Sequence, residues 1–343
     1  MNYTFDRAWA EINLDNIAHN AREIRRLAGK RTEIIAVVKA DAYGHGLPPV
    51  VEALRESIGA FAVATLTEAL VVEQHARRNR DGGMVPIYIL SPALPGEMGE
   101  IAARGFIPAV STEEEIRAYA SHGSAIRPVN LHLVVDTGMG RMGALPDTAE
   151  PMIELIRSLP SAGLDSLSTH FPSSDEDEVF TRSQEDQFRR LVAAWRLKYG
   201  DIRSHIANSA GILHYPRAQG ETVRAGLMLY GVSPMAAYQS MLKPALTWKT
   251  RITLVRDLPA GWGISYGRTF ITERPTAVAT LAAGYGDGYP RHVSGKGAFV
   301  EVQGRRCPVL GRVTMDQIMI DVTGLESRPV PGDVAVLLGT GIP

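Results

Sequence analysis

The sequence is poor in cysteine and has no excess of charge of either sign. Its one cysteine, Cys307, excludes an intrachain disulfide and any site built from several thiolates, and we expect no metal site. Lysine and arginine number 36 and aspartate and glutamate 37, which gives a formal net charge of -1. A chain with so small a net charge lacks the electrostatic footprint of proteins that bind nucleic acid or anionic membranes, so we expect neither partner.

Long apolar runs are also missing. No stretch approaches the roughly 20 apolar residues of a membrane span. The first residues include Asp6, Arg7 and Glu11 instead of the apolar core of a signal peptide, so we expect a cytoplasmic protein. With 45% hydrophobic and 21% charged residues over 343 positions, the composition is typical of a globular protein with one large and one smaller domain.

Short apolar strands alternate with amphipathic helices between residues 15 and 230. Eight candidate strands begin near Ile34, Phe61, Pro86, Phe106, Val129, Leu164, Arg203 and Thr222. This repetition predicts an α/β fold, a (β/α)₈ TIM barrel over residues 1–238, with site residues at the C-terminal ends of the strands. A doubly wound open sheet is the alternative, but no Gly-x-Gly-x-x-Gly segment follows the first strand.

The pattern changes after about residue 239. Helical periodicity disappears, and alternating or β-branched segments punctuated by glycine and proline predict a mostly β domain over residues 239–343. Its predicted strands are Leu246 to Val255, Thr276 to Leu281, Phe299 to Val302, Ile318 to Val322 and Val334 to Leu338. In the barrel segment, Asp15 is a predicted N-cap for a helix over Asn16 to Ala28.

Lys39 is a charged amine at the end of the apolar run Ile34 to Val38. An amine held in a desolvated position loses pKa and becomes a usable nucleophile or base, as in a Schiff base. Taken alone, the residue also fits a lysine that marks where a strand leaves the core. The polar segments at the other strand ends decide between these interpretations.

Several of those segments suit the binding of pyridoxal phosphate. Asn208 and Ser209 can open a helix whose free backbone amides bind phosphate, and Gly226 and Leu227 follow the eighth strand, where barrels often hold phosphate. Arg224 could donate a hydrogen bond to a ring nitrogen. Arginine does not give up its proton, so that nitrogen would stay unprotonated and the ring would be a weaker electron sink.

Three further side chains are candidates for catalysis or substrate binding. Tyr266 lies between glycines, and a tyrosine serves as a base only if neighbouring groups stabilise its phenolate. His170 and Arg224 could do so. Arg141, in the glycine-rich run that begins at Asp136, could bind a substrate carboxylate. Each of these residues also has an ordinary structural interpretation.

Taken in order, the segments resemble the pyridoxal-phosphate-dependent alanine racemases, of fold type III, from Ala10 to about Leu338. The segments that carry the resemblance are the one around Lys39, Asp136 to Gly143, Thr169-His170-Phe171, Asn208-Ser209-Ala210, Val223-Arg224-Ala225-Gly226, Ser265-Tyr266-Gly267, Gly284 to Arg291 and Met315-Asp316-Gln317.

The resemblance implies an isomerase that interconverts L- and D-alanine. In that family Lys39 would carry the pyridoxal 5'-phosphate as a Schiff base and serve as the base on the D-face. Tyr43 would bind the phosphate together with Ser209, Gly226 and Leu227, while Arg224 would face the ring nitrogen.

It also implies a homodimer with shared active sites. Tyr266 of one subunit would be the L-face base of the other, tuned by His170 and Arg224. Tyr285, Met315 and Asp316 would complete the substrate site beside Arg141. A monomer would then be inactive.

This chain departs from the family at two places. Many members have a carbamylated lysine, which braces the arginine of the glycine-rich run, where this chain has Val134. Members also run some 40 residues past the equivalent of Gly339, with a tyrosine that contacts the phosphate. Either this sequence is truncated or the phosphate is held without that tyrosine, and if the tyrosine is absent we expect weaker cofactor retention and a wider pocket.

Other functions remain open at the level of sequence. The alternatives are a racemase of serine or another small amino acid and a catalytically impaired homologue. The related barrel decarboxylases fit less well, since Cys307 lies outside their cysteine motif. A pyridoxal-phosphate carrier fits less well too, because carriers resemble a barrel without a β domain.

Overall fold

The computed structural model describes residues 6–76, 84–216 and 222–339. They form two compact units, the first from Leu14 to Ala245 and the second from Leu246 onward. The N-terminal strand β1, Ala8–Ile12, belongs to the second unit. The barrel domain predicted from the sequence, residues 1–238, included this strand. Its alternating residues pair antiparallel with a later strand, from Ala8 opposite Thr250 to Ile12 opposite Leu246, which satisfies its backbone hydrogen bonds there.

The first unit is a closed barrel of eight parallel strands, which confirms the predicted fold class. The strands are β2 Glu33–Val37, β3 Ala60–Val63, β4 Ile87–Ile89, β5 Ile107–Val110, β6 Val129–Val134, β7 Ala162–Ser168, β8 Arg203–His205 and β9 Thr222–Ala225. Each strand pairs with the next, and β2 pairs with β9 to close the ring. Ile34 to Val38 are all buried, as expected of a strand covered on both faces.

Helices follow the strands. They are α1 Leu14–Ala28, α2 Lys39–Gly44, α3 Leu47–Leu54, α4 Leu66–Ala76, α5 Met98–Arg104, α6 Glu113–Ala120, α7 Pro146–Ser158, α8 Glu178–Tyr199 and α9 Ser209–His214. Helix α1 starts two residues earlier than expected, so Asp15 lies in its first turn and is not the N-cap. It buries Ile17, Ala21 and Ile24, which share one face at helical spacing. Within the described ranges, no helix has both the length and the apolar character to cross a membrane.

The second unit is built from antiparallel strands. They are β10 Leu246–Leu258, β11 Gly263–Ile264, β12 Phe270–Ile271, β13 Thr276–Leu281, β14 Phe299–Val302, β15 Arg305–Pro308, β16 Ile318–Asp321 and β17 Val334–Leu338. A seven-stranded sheet runs in the order β15-β14-β17-β10-β13-β16, with β1 also on β10, and β11 pairs with β12. Buried side chains such as Ile252, Leu281, Val300 and Ile320 form its core.

Candidate active site

A cavity of about 380 Å³ opens where the barrel strands end. It is lined by nine of the residues selected from the sequence, namely Lys39, Tyr43, Arg141, His170, Asn208, Ser209, Arg224, Gly226 and Leu227. The other four, Tyr266, Tyr285, Met315 and Asp316, belong to the second unit. The barrel topology therefore gathers strand ends that are distant in sequence around a single cavity.

Lys39 follows β2 and opens a left-handed turn. The four residues after it, Ala40 to Tyr43, have φ values of 53°, 53°, 54° and 55°. For residues with a Cβ this conformation costs roughly 1–2 kcal/mol each, so other contacts hold the turn in place. The amide of Leu47 donates to Asp41 Oδ1 at 2.7 Å. The ring of Tyr43 stacks on Tyr230, with centroids 4.8 Å apart.

Arg224 lies buried on β9 and uses most of its donors on the barrel. Its Nη1 donates to His205 Nδ1 and to the His205 carbonyl, the latter at 3.0 Å, and its Nη2 donates to the Thr169 carbonyl at 2.6 Å. Among the described residues, its Nε–H has no partner. Burial, and then the charge of Arg141, lowers the Arg224 pKa to about 10, so the guanidinium keeps its charge at neutral pH.

His170 is held as a neutral imidazole. Its Nδ1 lies 3.2 Å from Arg224 Nη2, which can only donate, so the ring proton resides on Nε2. Burial lowers the His170 pKa to about 3, with further contributions from the charges of Arg224, Arg141 and Lys39. The imidazole therefore offers one N–H donor in the cavity wall.

Two buried histidines behind Arg224 were not selected from the sequence. His132 on β6 and His205 on β8 stack with ring centroids 4.7 Å apart, and both are about 98% buried or more. Burial, and then the charge of Arg224, lowers both pKa values, that of His132 to about 3. Both histidines could have been selected from the sequence because each is a polar residue at an inward position of a barrel strand, where branched apolar residues dominate.

A directed chain of hydrogen bonds fixes the proton on His132. Ser166 Oγ donates to the carboxylate of Asp165 at 2.7 Å, so it accepts from His132 Nδ1, 2.9 Å away. His132 Nε2 then accepts from Ser168 Oγ at 2.8 Å. Tyr88 also donates to Asp165, at 2.7 Å. Both ring nitrogens of His132 are thus used without a second proton.

These buried histidines predict acid sensitivity of the fold. Just below the ordinary histidine pKa of 6.5, the unfolded chain binds protons that folded His132 and His205 do not, because burial lowers the pKa of both. Stability should therefore fall as pH falls below 6.5, by about 3 kcal/mol per pH unit for the pair. Urea unfolding between pH 7 and 5 measures this slope.

His132→Gln, which keeps a donor and an acceptor, should reduce that slope, while the exposed His122→Gln should leave it unchanged. A slope equal in all three proteins would contradict the interpretation.

The loops after β8 and β9 form a polar corner of the cavity. Ser209 Oγ accepts from the backbone amides of Gly226 and Met228 at 3.2 and 3.4 Å. A Cβ at Gly226 would come within 2.8 Å of the Tyr43 hydroxyl, so a larger residue there would displace the Tyr43 side chain. Asn208 caps α9 by accepting from the Gly211 amide at 3.0 Å. Burial raises the Tyr43 pKa, which keeps its hydroxyl a donor.

Arg141 is carried by a loop that one carboxylate organises. Asp136 accepts from the amides of Gly138, Met139 and Gly140 at 2.8–2.9 Å. Within the described part of the chain, Arg141 has no hydrogen-bond partner, and Val134 lies in the same cavity wall. Its charge nevertheless acts on His170 and Arg224.

The cavity therefore combines the cations Lys39, Arg141 and Arg224, which suits a ligand with more than one anionic group. Over residues 6–76, 84–216 and 222–339, no group of three or more histidine, cysteine, aspartate or glutamate side chains is arranged to hold a metal ion.

In the second unit, the loops that carry the remaining four candidates converge. Ser265 Oγ donates to the Arg312 carbonyl at 2.6 Å, and the amide of Tyr285 donates to the Thr314 carbonyl at 2.9 Å. Tyr266 is 69% exposed. Its neighbour Ser265 has φ of 62°, a strained value for a residue with a Cβ. Such strain persists where the surrounding structure holds a side chain in a required place.

Comparison with known proteins gives one consistent result. The family model for the alanine racemase N-terminal domain matches residues 12–234, and that for the alanine racemase C-terminal domain matches residues 245–343. The alanine racemase of Halothermothrix orenii is 40% identical, over 96% of this chain and 87% of its own length. That of Carboxydothermus hydrogenoformans is 38% identical, over 96% of this chain and 89% of its own length.

Solved structures agree. The alanine racemase from Streptomyces coelicolor A3(2) superposes with a TM-score of 0.88 at 32% identity, covering 98% of this chain and 90% of that one. The biosynthetic alanine racemase from Pseudomonas aeruginosa gives 0.87 at 34% identity, covering 98% and 92%.

Proposed function

Because this chain belongs to the alanine racemase family, we propose that its barrel cavity binds pyridoxal phosphate on Lys39 and moves the substrate Cα proton with two bases. The chain is an amino-acid racemase, and alanine is its substrate. The observation that carries the cofactor and base assignments is the arrangement of Lys39, His170 and Arg224 around one cavity.

The residues of the cavity fit the cofactor. The unused Nε–H of Arg224 is the donor that a ring nitrogen would meet, and a guanidinium leaves that nitrogen unprotonated. Tyr43, Ser209, Gly226 and Leu227 would hold the phosphate in the polar corner, beside the Asn208 cap. When bound, pyridoxal phosphate withdraws electrons from the substrate Cα and makes its proton acidic.

Racemisation requires that the proton leave one face of the substrate and return to the other. Lys39 is the proposed base on the D-face, and Tyr266 of a second copy is the proposed base on the L-face. A tyrosine base needs a stabilised phenolate. The neutral His170 supports this assignment, since its Nε2–H can donate to the phenolate oxygen while its Nδ1 is fixed by Arg224.

A homodimer would bring Tyr266 to its proposed place. The second unit exposes Trp262, Tyr266, Tyr285 and Met315 by 52%, 69%, 40% and 54%, and large exposed apolar side chains are typical of interfaces. Met315 and Asp316 would then line the substrate site with Tyr285, and Arg141 would bind the substrate carboxylate. We place the enzyme in the cytoplasm, where the buried thiol of Cys307 stays reduced.

Hydrogen exchange at Cα tests the proposal directly. Purified protein loaded with pyridoxal phosphate, in D₂O, should wash deuterium into both L- and D-alanine and equalise the two enantiomers. Serine and other small amino acids, run in the same assay, measure the substrate range. Loaded protein that exchanges neither enantiomer of alanine would favour the catalytically impaired homologue.

A further inference from the structure

The strained turn after Lys39 is held from a neighbouring βα unit. The backbone amide of Ala40 donates to Glu68 Oε1 at 2.6 Å. The other oxygen of the same carboxylate accepts from the amides of Ala64 and Thr65 at 2.9 and 3.3 Å, while Thr65 Oγ1 accepts from the Glu68 amide. Glu68 is therefore the glutamate of a capping box at the start of α4, and it also reaches across to α2.

The barrel contains a matched copy of this motif at α6. Glu115 Oε2 accepts from the amides of Ser111 and Thr112 at 2.6 and 3.2 Å, and Thr112 Oγ1 accepts from the Glu115 amide. Among the described residues, the other oxygen of Glu115 has no partner. The two glutamates thus cap their helices in the same way, and Glu68 differs by its second contact, to Ala40.

That contact acts on the peptide unit that follows Lys39. The Ala40 N–H lies in the same peptide plane as the Lys39 carbonyl, so fixing its direction fixes ψ of Lys39. This fixes the direction of the Lys39 Cα–Cβ bond relative to the left-handed turn from Ala40 to Tyr43. A misplacement of about 1 Å at a reacting group can reduce a rate by 10²-fold.

We propose that Glu68 is a positioning residue for Lys39, which rests on the role proposed above for that lysine. Its carboxylate holds the Lys39–Ala40 peptide with one oxygen while it caps α4 with the other. One oxygen faces the Ala40 amide and the other faces the amides of Ala64 and Thr65, so both positions of the side chain must be acceptors.

Glu68→Gln separates the two contacts. A carboxamide has one acceptor, so in either orientation its NH₂ faces a backbone N–H and one of the contacts is lost. Glu115→Gln is the control, since one oxygen suffices for its cap and the NH₂ can take the unused position. Both variants lose a negative charge at a helix N-terminus, so both should show similar small decreases in Tm.

We expect the two variants to differ in the reactions that use the Lys39 amine. In E68Q, deuterium exchange into D-alanine, from the face assigned to Lys39, should fall about tenfold. Exchange into L-alanine should fall less, and covalent binding of pyridoxal phosphate to the apoenzyme, followed by absorbance, should slow by a similar factor. E115Q should match the wild type in all three.

Equal behaviour of E68Q and E115Q, with an active wild type, would overturn the positioning role. A wild type that exchanges neither enantiomer would instead overturn the proposed function. If E68Q is too unstable to purify, Glu68→Asp and Glu115→Asp give the same comparison. Aspartate keeps the charge but is one methylene too short to span from α4 to Ala40.

Discussion

Replacing Lys39 with alanine should abolish racemisation in both directions, by at least about 10⁴-fold. The substitution removes the amine proposed to hold the cofactor and, at the same time, the base assigned to the D-face. Both L- and D-alanine should therefore lose turnover, measured as the approach of either pure enantiomer to the racemic mixture. Added methylamine should restore part of the activity, because it supplies a free amine to the same cavity.

The exposed Lys243→Ala in the same unit is the control, and its activity should equal that of the wild type. Circular dichroism and the Tm of K39A separate a chemical loss from a folding loss. Racemisation by well-folded K39A within tenfold of the wild-type rate would contradict both roles of Lys39.

Tyr266→Phe should produce an unequal defect in the two directions of proton exchange. The variant removes only the hydroxyl, so exchange into L-alanine should fall by about 10²–10⁴-fold, the usual contribution of a general base. Exchange into D-alanine should continue, because Lys39 is intact. Net racemisation requires proton transfer on both faces of the substrate, so its rate should fall with that of the slower transfer. The measurement is deuterium incorporation into each pure enantiomer, followed separately.

Mixing the two inactive variants tests whether the active sites are shared. If K39A and Y266F subunits are unfolded together and refolded, random pairing should give about a quarter of the wild-type activity. Half of the dimers would then be mixed, and each would contain one site with both bases. Recovery of no activity from demonstrably mixed dimers would mean that Tyr266 serves Lys39 of its own chain, or neither.

Much of the fold could be predicted because the barrel strands carry a local signal. Local signals also mark helices: α6, Glu113–Ala120, begins at a capping box of Thr112 and Glu115 that is visible in the sequence. The pairing of β1 with β10 was missed. It joins residues more than 230 positions apart, and nothing in five alternating residues specifies a partner so distant.

The site was only partly visible in the sequence. Loops rich in glycine and polar residues at strand ends indicate a binding site, so Arg141, Asn208 and Gly226 could be selected from the sequence as site residues. The left-handed turn could not be foreseen, because Ala-Asp-Ala-Tyr contains no glycine and adopts positive φ only under tertiary contacts. His132 and His205 were missed because each is one polar residue within an apolar strand, and their role depends on Arg224 from a third strand.

Val134, which stands where many family members have a lysine, affects the contacts of Arg141. Without a lysine there, Arg141 has no hydrogen-bond partner among the described residues, although the backbone beneath it is fixed by Asp136. The loop is therefore ordered while the guanidinium is free to meet a ligand. Bound substrate carboxylate would then be its ion-pair partner.

The turn after Lys39 depends on contacts with residues that follow the last barrel strand. Tyr43 stacks on Tyr230, and the Tyr230 hydroxyl donates to the Val37 carbonyl at 3.0 Å, so the first barrel strand is completed by residues beyond the last one. Four left-handed residues do not persist in a chain that lacks these contacts. During synthesis, Lys39 leaves the ribosome nearly 200 residues before Tyr230, and its final geometry waits for barrel closure. If Lys39 carries the cofactor, as proposed above, cofactor loading requires that the whole barrel has folded.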